Sequence, residues 1–258
     1  MNKQNGMMKR IAKLGMLLLL GASMSACAGL IGSSMKWKEE VPLHDGGVLV
    51  VERHYNLGGY PTLDARERQA LDQTITITLP ESSKEISWKT EYRQDLPEPN
   101  SLGPLLLDIV GGVPYLATSP AGCIAYNKWG RPNPPYILFK YVNDTWQQIP
   151  MKEFPSELVG ANLMSRPASS LLKSYYTVVA ASAMRQDGNV SEYARTIFHE
   201  PIQSAGQGCG ELIYDGRGGW QGPGLFSRQP SKEACFKYCK QREITAQYCP
   251  CNRFFKAK

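Results

Sequence analysis

The chain has 258 residues, of which 42% are hydrophobic and 20% are charged, so it can form one or two folded domains and is not expected to be wholly disordered. The formal net charge is +6, but four of the positive charges lie in residues 1–13, which contain no acidic residue. Removing those four charges leaves +2 for the remainder. The sequence therefore predicts no clustered basic face, and no nucleic-acid partner is expected.

Residues 1–26 have the composition of a secretory signal peptide. The four positive charges come first, and Leu14–Ala26 is then uncharged and rich in leucine. This apolar segment is thirteen residues long, which falls short of the ~20 residues that a membrane-spanning helix needs. The sequence therefore predicts that residues 1–26 are a signal peptide.

The end of this segment, Met24-Ser25-Ala26-Cys27, resembles the lipobox of bacterial lipoproteins, in which an aliphatic residue and two small residues precede a cysteine. The resemblance implies cleavage before Cys27, a thioether-linked diacylglycerol on its sulfur and an acyl group, typically palmitate, on the new amine. In such lipoproteins, an aspartate directly after the cysteine keeps the protein from the outer membrane. Residue 28 is an alanine, so the resemblance implies that the protein is anchored in the outer membrane and faces the periplasm. Met24 is a less common residue at its position, and the alternative is a plain signal peptide with a chance cysteine. Residues 27–36 are predicted to be a lipidated tether.

The next segment alternates between apolar and polar residues, as strands with one buried face do. Asp45-Gly46 lies between two apolar runs, which is a strong hairpin signal. Asn56–Ala70 is polar and is predicted to be a loop. The predicted strands are Trp37–Leu43, Val48–Tyr55, Thr74–Leu79 and Ile86–Tyr92.

A second group of strands follows a proline-containing linker, Asp95–Pro104. Gly111-Gly112 permits the positive φ angles of a tight turn, and Asn143-Asp144-Thr145 is a second turn. A proline-rich loop, Asn127–Pro135, separates the two hairpins. The predicted strands are Leu105–Val110, Val113–Ser119, Tyr136–Val142 and Trp146–Ile149. Two successive four-stranded units predict a mainly β domain over residues 37–225, with antiparallel sheets arranged as a sandwich or as blade-like units.

The pattern changes after Pro150, where a small helical insertion is predicted. Apolar residues in Pro167–Arg185 recur at helical spacing, although the β-branched run Thr177-Val178-Val179 leaves a strand as the alternative. Ser191–His199 is predicted to be a short helix capped by Ser191, and Glu211–Trp220 a strand segment with a turn. A last helix, Lys232–Arg242 with Ser231 as its cap, begins a cysteine-rich tail over residues 226–258.

Six cysteines remain after Cys27, and an even number in an exported chain favours disulfides, in any of fifteen pairings. They are Cys123, Cys209, Cys235, Cys239, Cys249 and Cys251.

The four cysteines of the tail can bond to one another. Cys235 and Cys239 are one helical turn apart, and Cys249 and Cys251 point the same way if the residue between them is extended. The simplest arrangement is Cys239–Cys249 inside Cys235–Cys251, which leaves Cys123 to bond to Cys209. The alternative is a four-thiolate zinc site, but C-x3-C and C-x-C are not the usual C-x2-C pairs, so no metal is expected.

The sequence offers few residues for catalysis. His44 lies in a turn, His54 at a strand end and His199 at the end of a predicted helix, and a structural role is favoured for each. HExxH, GxSxG, P-loop and GxGxxG motifs are absent from the sequence. Asp215–Gly219 is similar to a phosphate loop but lacks its lysine and its helix, so a hairpin turn is favoured. No catalytic residue and no cofactor are predicted, and a hydrolase would need a pocket that gathers His44, His54 or His199 with carboxylates.

The proline-rich loop is the candidate partner-binding surface. Trp129, Arg131 and Tyr136 belong to the residue types that dominate protein interfaces, and the prolines restrict the backbone, so docking would cost little entropy. The alternative is a rigid loop in which Trp129 packs on the sheet.

Four segments of the body, WKEEVPLHDG, PLLLDIVGG, CIAYNKWGRPNPPYILFKY and CGELIYDGRGGW, resemble a family of uncharacterised proteins from Gram-negative bacteria. The resemblance covers roughly Trp37–Trp220 and implies no catalytic residues. The expected function is therefore non-enzymatic binding at the envelope, with an envelope protein or a toxin as partner and no small-molecule ligand identified. An immunity-type lipoprotein that neutralises a competitor's toxin and a periplasmic hydrolase are the alternatives.

Overall fold

The computed structural model describes residues 33–59, 67–92, 100–186 and 191–255. The predicted signal peptide, the lipidation site Cys27 and the first half of the Asp95–Pro104 linker lie outside these ranges. Within them, no helix has both the length and the apolar character needed to cross a membrane.

The described residues form a mainly β fold, as the sequence predicts. The strands are β1 (Ser33–Pro42), β2 (Val48–Gly58), β3 (Gln69–Thr78), β4 (Glu85–Glu91), β5 (Leu102–Val110), β6 (Val113–Pro120), β7 (Ile137–Val142), β8 (Thr145–Ile149), β9 (Tyr175–Tyr176), β10 (Ile213–Tyr214) and β11 (Trp220–Gln221). The helices are α1 (Cys123–Lys128), α2 (Val178–Gln186), α3 (Gly224–Ser227), α4 (Lys232–Gln241) and α5 (Cys251–Phe254). Short 3-10 turns occur at Met151–Glu153, Ser169–Leu171, Glu192–Ala194 and Ala246–Tyr248.

The first sheet has five strands in the order β4-β3-β2-β1-β9. Strands β1 to β4 are antiparallel neighbours, and β9 pairs in parallel with β1. The alternation along β3 and β4 buries Ile75, Ile77, Ile86 and Trp88 on one face, as predicted, and β1 and β2 alternate in the same way. Because β1 begins at Ser33 and Met35 is buried, the end of the predicted tether, residues 33–36, belongs to the sheet. The predicted loop Asn56–Ala70 is also shorter, since β2 extends to Gly58 and β3 begins at Gln69.

The second sheet has four antiparallel strands in the order β5-β6-β7-β8. Strand β5 contains an apolar run because both of its faces are covered, with Leu107 in the core shared with the first sheet and Leu106 in a second core on the opposite face. Strand β5 begins at Leu102, so Pro104, predicted as linker, lies in the sheet. A register shift beside Pro104 leaves Leu105 without a partner on β6, and its carbonyl accepts hydrogen bonds from the backbone N–H groups of Asn162 and Leu163.

The two sheets pack face to face around one apolar core, which is the predicted sandwich arrangement. The buried residues of this core are Val41, Leu49, Val51, Ile75, Ile77, Ile86, Trp88, Leu102, Leu107, Leu116, Ile137 and Leu163. The opposite face of the second sheet is covered by Phe154, Leu158 and Ile197. The rest of the first sheet's buried face is covered by α2 and the segment around Met164. The result is a sandwich whose outer layers are short helices and irregular segments.

A buried ion pair lies between these cores. Glu39 on β1 and Arg53 on β2 are both almost completely buried, with Arg53 NH1 2.5 Å from Glu39 Oε1. The other carboxylate oxygen accepts from Met164 N at 2.9 Å, and the guanidinium lies 5.3 Å from the centre of the Trp37 ring. The amide of Gln73, oriented to accept, lies 2.9 Å from Arg53 Nε. Both charges therefore have partners, as burial requires.

Two helical predictions after Pro150 need correction. In Pro167–Arg185 the helix begins only at Val178, after the short strand β9. Ser191–His199 is not a helix beyond one 3-10 turn, and the Ser191 side chain makes no cap. Its backbone pairs instead with a distant segment, since Ile197 N donates to Val159 O and Ala161 N donates to Arg195 O. Tertiary pairing overrides the local preference here.

The tail agrees with its prediction. The hydroxyl of Ser231 accepts from Ala234 N at 3.2 Å and caps α4. The disulfides are the three expected pairs, Cys123–Cys209, Cys235–Cys251 and Cys239–Cys249. The two bonds of the tail lie in a small core with Phe226 and Ile244.

Candidate functional site

An open cleft of about 560 Å³ lies beside α1. Helix α1 forms one wall, the end of the proline-rich loop and the turn at residues 191–193 form the second, and residues 204–209 form the third. The lining residues are Ser119, Pro120, Gly122, Tyr126, Pro135, Ser191, Glu192, Tyr193, Ser204, Gly206, Gln207, Gly208 and Cys209. A cavity of this size falls within the range that small ligands and short peptide segments occupy.

The walls of the cleft are held together by specific contacts. The Cys123–Cys209 disulfide joins α1 to the third wall across 86 residues of sequence. Gly206 has a positive φ of 67°, and a Cβ atom there would lie 2.2 Å from the Tyr126 ring, so only glycine allows this close approach. The Asn127 side chain donates to Gly210 O at 3.0 Å and accepts from Leu212 N at 2.8 Å. The cleft is therefore largely preformed.

Tyr136, predicted as part of an exposed partner-binding surface, is instead a core residue, 5% exposed. Its hydroxyl donates to Tyr193 O at 2.8 Å or to Thr196 O at 2.9 Å. It also accepts from Phe198 N at 3.3 Å. Burial raises the pKa of this phenol to about 12. Tyr136 therefore anchors the cleft wall from below and cannot contact a partner directly.

Trp129 and Arg131 are half-buried rather than fully exposed. Trp129 packs against the core between the sheets, and its Nε1 donates to Asn100 O at 2.8 Å, which is the alternative stated for this residue. The guanidinium of Arg131 lies 5.1 Å from the centre of the Tyr126 ring and donates to Asn127 Oδ1 at 3.3 Å. The structure does not bring Trp129, Arg131 and Tyr136 together on one exposed patch. The loop lines the cleft through Pro135, at its end.

A second, smaller cavity of about 320 Å³ lies at the β1–β2 turn and contains His44. Nδ1 of His44 lies 2.8 Å from Asp108 Oδ1, and its backbone N–H donates to Asp108 Oδ2 at 2.9 Å. The Asp108 side chain is only 3% exposed, whereas that of His44 is 27% exposed. The carboxylate therefore holds the proton on Nδ1 and leaves Nε2 without a protein partner in the described part of the chain. Pairing with Asp108 raises the pKa of the His44 imidazole above its ordinary value.

The sequence assigns no role to Asp108. It is the single charged residue in the apolar run of β5, and a carboxylate at a buried position needs a partner. That signal was present in the sequence, but the identity of the partner was not, because His44 lies 64 residues away.

The other two histidines do not join this site. His54 lies on β2 at a half-buried position, where desolvation and then the charge of Lys36 lower its pKa. His199 lies beside the second sheet, with Nε2 3.3 Å from Leu158 O and its ring 6.1 Å from that of Phe154. The condition stated for a hydrolase, a pocket that gathers His44, His54 or His199 with carboxylates, is therefore met in part, because among the described residues His44 meets Asp108 at the smaller cavity. Asp215–Gly219 forms a hairpin turn, as favoured, with Asp215 Oδ1 accepting from Arg217 N and Gly219 N.

The pairing of His44 with Asp108 predicts a measurable change in the pKa of His44. In an NMR titration, His44 is expected to have a pKa above the ordinary value of about 6.5, and His54 a pKa below it. Because the folded-state pKa of His44 is raised, its stabilising contribution is fully present below about pH 6.5 and is lost as the pH rises through the folded-state pKa. Asp108→Asn should lower the His44 pKa, whereas Asp45→Asn should change it less. Equal effects of the two variants would contradict the pairing.

No protein-family model, no curated protein and no solved structure matches the chain.

Proposed function

We propose that this protein is a lipid-anchored component of the bacterial outer membrane that faces the periplasm and functions by binding a partner rather than by catalysis. The anchor is supported by the charged and apolar order of residues 1–26 and by the lipobox-like Met24–Cys27. Three disulfides in the described structure are in keeping with an oxidising compartment.

The cleft beside α1 is the observation that carries the binding function. Its walls are cross-linked by Cys123–Cys209 and by the Asn127 hydrogen bonds, so little conformational entropy is lost when a ligand enters. The lining combines tyrosine and proline surfaces with serine hydroxyls and the exposed backbone of Gly206–Gly208. Such a lining, which also includes the carboxylate of Glu192, fits a peptide segment that carries no negative charge and can use the rings for apolar contact and the backbone groups for hydrogen bonds. The proposed partner is therefore a protein of the envelope, or a toxin that arrives there.

Blocking the cleft should abolish partner capture without unfolding the protein. Ser204 is exposed and lines the cleft, whereas its neighbour Gln203 is exposed and does not line it. We expect Ser204→Trp to lower the yield of a cross-linked envelope partner at least tenfold, a loss of about 1.4 kcal/mol in binding. Gln203→Trp is the matched control and should capture the partner as the wild type does. If both variants capture it equally, the cleft is not the binding site.

A hydrolase is the second candidate, and the His44–Asp108 pair favours it. A buried carboxylate that orients a partly exposed imidazole is the arrangement of a general base. Among the described residues, however, no hydroxyl or thiol is hydrogen-bonded to Nε2 of His44, so a nucleophile would have to come with the substrate or as water. Hydrolysis by the purified protein that is lost in His44→Gln would make this the better assignment.

A further inference from the structure

The tail carries a high positive charge that is not evident from the net charge of the whole chain. Residues 226–258 contain eight lysines and arginines and two glutamates, a net charge of +6. Since residues 1–13 carry +4 and the total is +6, residues 14–225 carry −4. The prediction that the chain has no clustered basic segment is therefore wrong for the tail.

Helix α4 presents part of this charge on a rigid surface. Its inner side carries Cys235 and Cys239, which are buried and bonded to the segment that follows. Its outer side is formed by residues spaced three and four apart, as neighbours on one helix face are. The exposed residues of that face are Glu233, Phe236, Lys237, Lys240 and Gln241. Because two disulfides fix the helix, this face keeps its orientation.

The cations of this face are available to a partner. In the described part of the chain, Lys237 and Lys240 form no ion pair. The two glutamates of the tail do not neutralise these lysines to the same extent, because Glu243 is already paired with Arg217 of the preceding hairpin. Phe236 is next to Lys237 in sequence and one helical turn from Lys240, and it is 41% exposed. Its ring adds exposed apolar surface to this basic face.

We propose that the outer face of α4 docks on an anionic lipid surface, with Lys237 and Lys240 on lipid phosphates and Phe236 in the interfacial region. Helices that lie on membranes combine basic residues with aromatic side chains in this way. The exposed Phe236 favours lipid over nucleic acid, whose backbone offers charge but no apolar layer. The choice of a membrane also rests on the proposed function, since a chain anchored through Cys27 would hold its tail close to a lipid surface. The contact would orient the cleft relative to the membrane.

Vesicle binding tests this face separately from the anchor and from the cleft. The chain that begins at Ala28, which keeps every described residue but lacks the signal peptide and Cys27, is sedimented with vesicles of phosphatidylcholine alone or mixed equally with phosphatidylglycerol. Combining Lys237→Gln with Lys240→Gln should weaken binding to the anionic vesicles by roughly tenfold or more. The matched control combines Lys36→Gln with Lys38→Gln, two exposed lysines of β1, and should bind as the parent does. Phe236→Ser should weaken binding to the same vesicles without a change of charge.

Several results would overturn the proposal. Equal losses in the two lysine pairs would show that only the total charge matters. Equal binding of the parent to neutral and anionic vesicles would exclude phosphate recognition by the tail. Tighter binding to a DNA oligonucleotide than to anionic vesicles would assign the face to nucleic acid. Because every protein compared begins at Ala28 and has an unaltered cleft, these outcomes do not depend on whether the wild type is lipidated or captures a partner.

Discussion

Replacing Glu39 with glutamine is expected to lower the free energy of unfolding by about 3–5 kcal/mol, because the change leaves the charge of Arg53 buried without a counter-ion. Arg53 is only 1% exposed, and Glu39 is the carboxylate that its NH1 contacts. The backbone N–H of Met164 also loses a charged acceptor. Urea denaturation followed by tryptophan fluorescence measures the difference in free energy.

The matched control is Glu52→Gln. Glu52 lies on the opposite, exposed face of β2, 3.5 Å from Lys38, so its loss should cost at most about 1 kcal/mol. Replacing both members of the buried pair with apolar residues, as Glu39→Met and Arg53→Leu, should recover much of the stability, since no charge is then left unpaired. If Glu39→Gln is no less stable than Glu52→Gln, the ion pair does not contribute as described.

Cys27→Ser is expected to abolish lipid attachment completely. The expectation rests on the apolar segment that ends in Ser25-Ala26-Cys27. With serine at this position, no thioether can form, so metabolic labelling with a fatty-acid analogue should disappear and the precursor should remain uncleaved. Because each buried CH₂ contributes ~0.8 kcal/mol, several acyl chains should hold the wild type in the membrane fraction until detergent is added.

The control for this experiment is Cys123→Ser, which also removes one cysteine but lies within the folded domain in the Cys123–Cys209 disulfide. It should be labelled as the wild type is. A wild-type protein that is released with the soluble periplasmic proteins, without detergent, would contradict the anchor and leave only a plain signal peptide.

The strands and their turns could be predicted from the sequence because their signals are local. Gly111 and Gly112 have φ values of 57° and 77°, and Asn143 and Asp144 have values of 51° and 61°, which are conformations that these residue types adopt most readily. The alternation along β1 and β2 likewise follows from strand geometry alone. The cap of α4 and the pairing within the tail are also local, since Cys235 to Cys251 spans 16 residues.

Contacts between segments that are distant in sequence decided which residues could lie on the buried faces of the sheets. Glu39 and Arg53 occupy positions that alternation assigns to the core, where charged residues are not expected, and they are tolerated because Met164, 125 residues from Glu39, supplies a further partner. The helix predicted at Ser191–His199 was lost to backbone pairing with residues 159–161, since a short isolated helix gains less than a hydrogen-bonded tertiary contact.

The same distinction between local signals and long-range contacts applies to the candidate sites. The sequence by itself determined where the hairpins and the cysteine pairs of the tail form, because turn geometry and the short cysteine spacings of the tail are local. Only the tertiary structure decided that Tyr136 is buried beneath the cleft, that Asp108 meets His44, and that Phe236 and the lysines of α4 remain exposed. The physical reason is that burial and pairing depend on which segments pack against each residue, and that packing joins parts of the chain far apart in sequence.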